Sequence, residues 1–270
     1  MEKKERKITW QFHQSTNQEM PQNTMEAFLY AWDLGGIPEL DIRTTKDGVI
    51  IAFHDETPSR TAYTDEQSKD KKISEFTLEE IKSWDAGIKL RKEHEGFRVP
   101  TLEETFIAMN DCTDRRIYLD LKDANLQYLA RLIQDYHVAD RIIFSHNNRQ
   151  NCPTIKQYVN DITTMLWIGG KADTIKSKFM EALDNHFHGL DIVQLHLNDK
   201  DDITGWRYSL EPDFLQFALA QLTKRGLDLE VLPFQFDKET LFTLLDMGIN
   251  RYATDEPKKF KNYVMEWQNS

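Results

Sequence analysis

Glu39 and Asp41 flank Leu40, and a short apolar run behind Lys46-Asp47-Gly48 leads to His54-Asp55. In a strand, alternate side chains share a face, so Glu39 and Asp41 point together while Leu40 packs the other way. Two hard carboxylate ligands suit a divalent cation such as Mg²⁺ or Ca²⁺ better than zinc. A histidine beside them, with an ordinary pKa of about 6.5, can give or take a proton near neutrality. Paired acids on a strand are also what a solvated face carries, so the elements that position them must decide.

Those elements alternate. Ile8 to His13 reads as a first strand, and Thr24 to Leu34 as a helix with Asn23 or Thr24 near its N-cap and Gly35-Gly36 beyond its end. Ile37 to Ile42 is a second strand, and Asp47-Gly48 signals a tight turn. The stretch at about residues 56–98 is polar and aperiodic in its first half, with a short helix expected over Leu78 to Trp84; it reads as an insertion. Further strands are expected at Ile117–Leu121, Ile142–Ser145, Thr163–Ile168, Ile192–Leu197, Glu230–Phe234 and Asn250–Thr254, separated by helical patterns such as Leu126–Tyr136 and Pro212–Arg225. Strict alternation predicts a parallel sheet, and eight strands predict an α/β fold of the (β/α)8 TIM-barrel type, one domain over residues 1–270 with a small insertion after the second strand. Active groups then belong at the C-terminal strand ends, where His13, Glu39, Asp41, Asp120 and Lys122 fall, with His54 in the loop region after the second strand.

Composition narrows the function classes. With 40% hydrophobic residues the chain fills a core, and a formal net charge of −11 argues against nucleic acid and against a polybasic membrane contact. Positive charge for a phosphate must therefore be gathered locally. Cys112 and Cys152 have no metal spacing and read as buried free thiols. Phe28, Trp32, Phe106, Phe214 and Phe217 recur at helical spacing and read as core. No apolar run approaches a membrane span, and Met1 to Lys7 is charged with no hydrophobic stretch behind it. The expected place is the cytoplasm if Met1 is the natural start, and the periplasm or the outside if an export signal was trimmed.

His13, Gln22-Asn23-Thr24, Glu39-Leu40-Asp41, Thr45-Lys46-Asp47-Gly48, His54-Asp55 and Arg60-Thr61 together resemble the ordered signature of the glycerophosphodiester phosphodiesterase family. Pro100-Thr101-Leu102-Glu103-Glu104, Tyr118-Leu119-Asp120-Leu121-Lys122, Gly248 and Thr254-Asp255-Glu256-Pro257 extend the resemblance over nearly the whole chain. It implies a divalent-metal phosphodiesterase acting on a small soluble phosphodiester. Glu39, Asp41 and Asp120 would ligate Mg²⁺ or Ca²⁺, with Asp120 in place of the family's usual glutamate. His13 and His54 would be the acid/base pair, and Lys122 would offset phosphate charge.

Departures from the family pattern bear on the substrate. Gln14 stands where the family has arginine, and losing that bidentate cation costs about 2 kcal/mol of phosphate binding if nothing compensates. Gln22 replaces a glutamate, and Pro233-Phe234-Gln235-Phe236 replaces Trp-Thr-Val-Asn. Trp167, His196 and Gln235 at later strand ends are candidates to line a hydroxyl-rich headgroup, although barrel packing accounts equally well for Trp167 and His196. Arg60 is expected in an ion pair rather than as the missing arginine's substitute. Two other classes stay open: a glycosidase using Glu39 and Asp120 as paired carboxylates, and a family member that binds a ligand without turning it over.

Overall fold

The structure is a computed structural model and describes residues 3–15, 19–202 and 205–270. Strands and helices alternate as expected: β1 (Thr9–Phe12), α1 (Met25–Asp33), β2 (Ile37–Thr44), β3 (Ile50–Ala52), α2 (Leu78–Lys82), α3 (Leu102–Asn110), β4 (Ile117–Asp123), α4 (Leu126–Asp135), β5 (Ile142–His146), α5 (Asn151–Lys156), β6 (Thr163–Ile168), α6 (Ala172–Asp184), β7 (Ile192–Leu197), α7 (Pro212–Thr223), β8 (Asp228–Pro233), α8 (Lys238–Asp246), β9 (Arg251–Thr254) and α9 (Pro257–Gln268). With β3 set aside, eight strands each lead into helix. The fold is a (β/α)8 TIM barrel with an insertion after its second strand.

The chain forms two compact units. One comprises Met1–Gln11, Ser145–Pro153 and Thr163–Ser270, and within it β6, β7, β8 and β9 pair in parallel. Strand faces alternate there, so Gln194, His196 and Glu230 share one side of the sheet while Val193, Leu195 and Val231 pack the other.

The other unit comprises Phe12–Phe144 and Thr154–Ile162. Here β2 runs parallel to β4, with Glu39 opposite Tyr118 and Asp41 opposite Asp120. Strand β3 turns back antiparallel on β2, pairing Ile42 with Ala52. The connecting turn needs Gly48 at φ 85°, which a side chain rarely adopts. Asp47 holds the turn to the insertion, because its carboxylate accepts the Thr45 hydroxyl (2.6 Å) and the Leu78 N–H (3.0 Å).

The insertion is packed rather than loose. Ile73, Phe76, Ile81, Trp84 and Ala86 form one buried cluster with Ile51, Phe53 and Val99. Phe76 meets Trp84 edge to face at 4.9 Å and 85°. A capping box starts α2, with Thr77 accepting the Glu80 N–H and Glu80 accepting the Thr77 N–H. That helix stops at Lys82, two residues before the expected end, because Trp84 turns inward to the cluster.

Three further expectations are corrected. Cys152 is buried, but Cys112 lies exposed just after α3. Phe28 and Phe106 are core, whereas Phe217 is 38% exposed, its ring edge-on to buried Phe179 and tilted against Phe214. The first strand ends at Phe12, so His13 opens a tight helical turn instead of closing the strand.

Truncating a buried tryptophan costs about 3–5 kcal/mol. Trp84→Ala is expected to open the insertion, and limited proteolysis followed by mass spectrometry will place the first cuts within residues 56–98, before any cut in β2 or β4.

Candidate active site

The β2–β4 register builds the centre. Asp41 and Asp120 are direct cross-strand partners, and Glu39 lies two residues from Asp41 on the same face. One oxygen from each carboxylate lies within 4.8 Å of the others, and all three residues are buried. At an effective dielectric near 20, two unit charges this close repel by about 3–4 kcal/mol. Three ionised carboxylates therefore need a cation.

Lys122 supplies part of it. Two residues past Asp120 on the same face, its Nζ donates to Asp120 Oδ2 and lies 3.2 Å from Asp41 Oδ1. Burial pulls the ammonium down, but Asp41, Asp120 and Glu39 hold its pKa above the ordinary lysine value. One lysine does not balance three acids. Glu39 is pushed up to about 8, first by burial and then by Asp41 and Asp120, against the opposing influence of His13 and Lys122.

Polar donors hold the acids in place. Asn23 Nδ2 donates to Asp41 Oδ2 (2.7 Å) while Asn23 Oδ1 accepts the Asp41 N–H (2.9 Å), so one amide clasps both side chain and backbone. Asn23 does this at φ 55°, a conformation asparagine tolerates better than most residues. Thr24 takes the N-cap of α1. The Gln14 N–H donates to Glu39 Oε2 (2.7 Å) from a left-handed backbone at φ 46°. Among the described residues, Asp41 Oδ1 is buried without a hydrogen bond, the Lys122 contact lacking the direction for one. An orphaned carboxylate oxygen inside an all-oxygen cluster fits a hard divalent cation, so the residues present suit the metal the resemblance implies.

His54 reaches this centre through β3. Phe53 N–H donates to Asp41 O (2.8 Å), and Arg43 Nε donates to His54 O (3.0 Å). Asp55 Oδ1 lies 2.7 Å from His54 Nδ1, and Arg60 grips both Asp55 oxygens from Nε (2.6 Å) and Nη2 (2.8 Å). Burial raises the Asp55 pKa, but hydrogen bonds and charge from His54 and Arg60 outweigh it and hold the carboxyl well below the usual range. An ionised Asp55 places the ring proton on Nδ1 and leaves Nε2 as an acceptor. That nitrogen lies 3.4 Å from Gln14 Nε2.

The chain matches the model of the glycerophosphoryl diester phosphodiesterase family over residues 13–259. The chain belongs to that family. It is 37% identical to the glycerophosphodiester phosphodiesterase of Caldanaerobacter subterraneus subsp. tengcongensis over 93% of its length and 96% of the relative's. A Bacillus altitudinis glycerophosphodiester phosphodiesterase is 31% identical across 49% of the chain and 55% of that relative. Among solved structures, an Oleispira antarctica phosphodiesterase in complex with the product sn-glycerol-3-phosphate superposes with a TM-score of 0.75 at 19% identity, covering 96% of this chain and 97% of that one. The glycerophosphodiester phosphodiesterase from Agrobacterium tumefaciens gives 0.73 at 19% identity, over 95% and 99%. As a member of the glycerophosphoryl diester phosphodiesterase family, the chain is a phosphoric diester hydrolase.

Glu39, Asp41, Asp120, Lys122, Gln14 and His54 are thus brought together in one unit of this phosphodiesterase, and His13 lies close enough to influence Glu39. Trp167 and His196 lie in the other unit, stacked at 5.4 Å with rings 6° from parallel, and Gln194 Oε1 is 3.2 Å from His196 Nε2. Gln235 is exposed, and its carbonyl accepts the Tyr208 hydroxyl. Arg60 forms the ion pair expected of it, and Asn23, Asp55 and Arg43 gain roles that sequence reasoning did not assign. Asn23 and Asp55 stood inside quoted motifs, but only the folded geometry shows what they hold.

A carboxyl whose pKa rises on folding contributes stability that is present below the unfolded value and lost as pH rises through the folded one. Metal-free protein is therefore expected to lose thermal stability between about pH 4.5 and 8 on account of Glu39. Melting curves of Glu39→Gln in chelator will show a flatter profile across that window than the parent.

Proposed function

We propose that the chain hydrolyses a small soluble glycerophosphodiester to an alcohol and a phosphomonoester, with a divalent cation, Mg²⁺ or Ca²⁺, held by Glu39, Asp41 and Asp120. The observation that carries this reading is the buried carboxylate triad with its orphaned Asp41 oxygen, set beside a histidine whose tautomer Asp55 fixes. When bound, such a cation supplies charge to offset a phosphate oxygen. The chain's own residues do the rest. Lys122 adds a second positive charge to the same face. His54, whose Nε2 faces the Gln14 amide at 3.4 Å, takes a proton from the attacking hydroxyl or returns one to the departing alcohol, and His13 takes the complementary part. Each such transfer contributes on the order of 100-fold or more.

Gln14 stands in the family arginine's place, and its backbone N–H and amide support this reading by holding Glu39 and approaching His54. It offers no charge to the phosphate. Trp167 and His196, stacked and part-exposed, are assigned to the hydroxyl-bearing part of the substrate, together with Gln235. No helix among the described residues is long and apolar enough to cross a membrane.

His54→Ala is expected to retain metal binding and lose at least about 100-fold in turnover of glycerophosphodiesters; Asp41→Asn will lose both. Metal binding is read as a rise in melting temperature, because a ligand at 100 times its dissociation constant adds about 2.7 kcal/mol to stability. Full activity in His54→Ala would remove it from the acid/base pair. Gln14→Arg is expected to lower KM for simple glycerophosphodiesters, and an unchanged KM would show that another group already holds the phosphate.

A further inference from the structure

A cavity lies in the same unit as the carboxylate centre. Pro21, Gln22, Arg60, Ala86, Lys89 and Leu90 are among the residues that line about 160 Å³. Two chains of contact tie it to the reacting groups. Gln22 precedes Asn23, whose amide clasps Asp41, and Arg60 clasps Asp55, which holds His54. Gln22 and Arg60 also meet each other, Arg60 Nη2 donating to Gln22 Oε1 at 3.1 Å. Arg60 therefore both lines the cavity and holds the carboxylate that engages His54.

The far wall comes from the insertion and is rigidly built. Asp85 accepts the N–H groups of Gly87 (2.9 Å), Ile88 (2.9 Å) and Gly96 (2.7 Å), closing the loop on itself. Gly87 is pressed against His94, where an added Cβ would come within 1.9 Å of the carbonyl oxygen. This fold of the loop presents Ala86, Lys89 and Leu90 to the cavity without needing a ligand to order them.

Charge selects the occupant. Arg60 is already matched by Asp55, and Lys122 by Asp120 and Asp41. Lys89 differs: its Nζ donates to the Ser59 carbonyl, and among the described residues no carboxylate lies within ion-pairing distance. Its side chain is exposed at the rim, yet partial burial and nearby Lys69 lower its pKa, against the pull of Glu66. In a protein of net charge −11, an unmatched ammonium beside a guanidinium and an amide is a local positive spot. Pro21, Ala86 and Leu90 add a short apolar wall. The cavity lies below the roughly 300 Å³ at which drug-sized pockets begin, so it suits a small group.

Resting on the phosphodiesterase reading above, we infer that this cavity receives an anionic group, a carboxylate or a second phosphate, carried at the remote end of the substrate's alcohol half. The scissile phosphate belongs with the metal carboxylates and Lys122, and glycerol brings no charge. Lys89 is then a specificity residue that acts on KM and not on the chemical step.

The test compares glycerophosphodiesters of ethylene glycol, glycolate, ethylene glycol phosphate and ethanolamine. Dissociation constants are measured by calorimetry on metal-loaded His54→Ala, and KM and kcat on the parent. At least tenfold tighter binding of one or both anionic esters over the ethylene glycol ester is expected, with the ethanolamine ester weakest. The glycolate and phosphate arms identify which anion the cavity takes. Lys89→Met is expected to cut that ratio to about twofold through KM, Lys89→Arg to keep most of it, and Lys92→Met on the neighbouring surface to leave it intact. Equal affinity for neutral and anionic esters, or equal loss of the ratio in Lys89→Met and Lys92→Met, would overturn the subsite. Failure of the parent to turn over any ester would instead overturn the catalytic reading, because the binding ratio is measured without turnover.

Discussion

Burying three carboxylates within 4.8 Å of one another is the constraint on which the rest of this structure depends. A parallel strand pair in register makes the arrangement unavoidable once the sequence puts acids at 39, 41 and 120. Nothing in the hydrophobic effect favours it. The protein tolerates it by committing nearby donors to single oxygens: Asn23 to Asp41, the Gln14 N–H to Glu39, and Lys122 to Asp120. The uncancelled remainder appears as the raised pKa of Glu39 and the orphaned oxygen of Asp41. Both describe a site with negative charge to spare, able to hold a cation.

His54 stands near this cluster, and Asp55 engages its Nδ1 at 2.7 Å. Arg60 in turn balances Asp55, so the pair adds no net charge to an already acidic centre. The β2–β3 hairpin then does the positioning, with Phe53 and Arg43 binding the chain immediately around His54 to β2. The packed insertion supports the same hairpin from behind through Ile51 and Phe53. A stretch that is polar and aperiodic in the sequence thus supports the hairpin that carries His54 and supplies part of the cavity wall.

Much of this was legible in advance because strand period and turn chemistry are local. Alternation placed Glu39 and Asp41 on one face, and Gly48 is the residue a left-handed turn requires. The β6 and β7 bounds follow from their β-branched and apolar runs. Misreadings occurred where burial depends on distant partners. Helical spacing suggested that Phe217 was core, yet it is 38% exposed at the edge of buried Phe179, and Cys112 is exposed past the end of α3. The cluster of Phe76 and Trp84 was hidden because its members are scattered through a polar stretch with no period to reveal them.

By itself the sequence determined the alternation of strands and helices and the identity and order of the acids, histidines and lysine. Those follow from side-chain chemistry and from periods of two and about 3.6 residues, which are properties of neighbours along the chain. Only the tertiary structure decided that Asp120 lies opposite Asp41 and that Asn23 clasps it. Each of these joins residues from separate segments. Strand register and loop packing, set by the burial of apolar surface elsewhere in the chain, determine which polar groups meet, and no local pattern encodes that outcome.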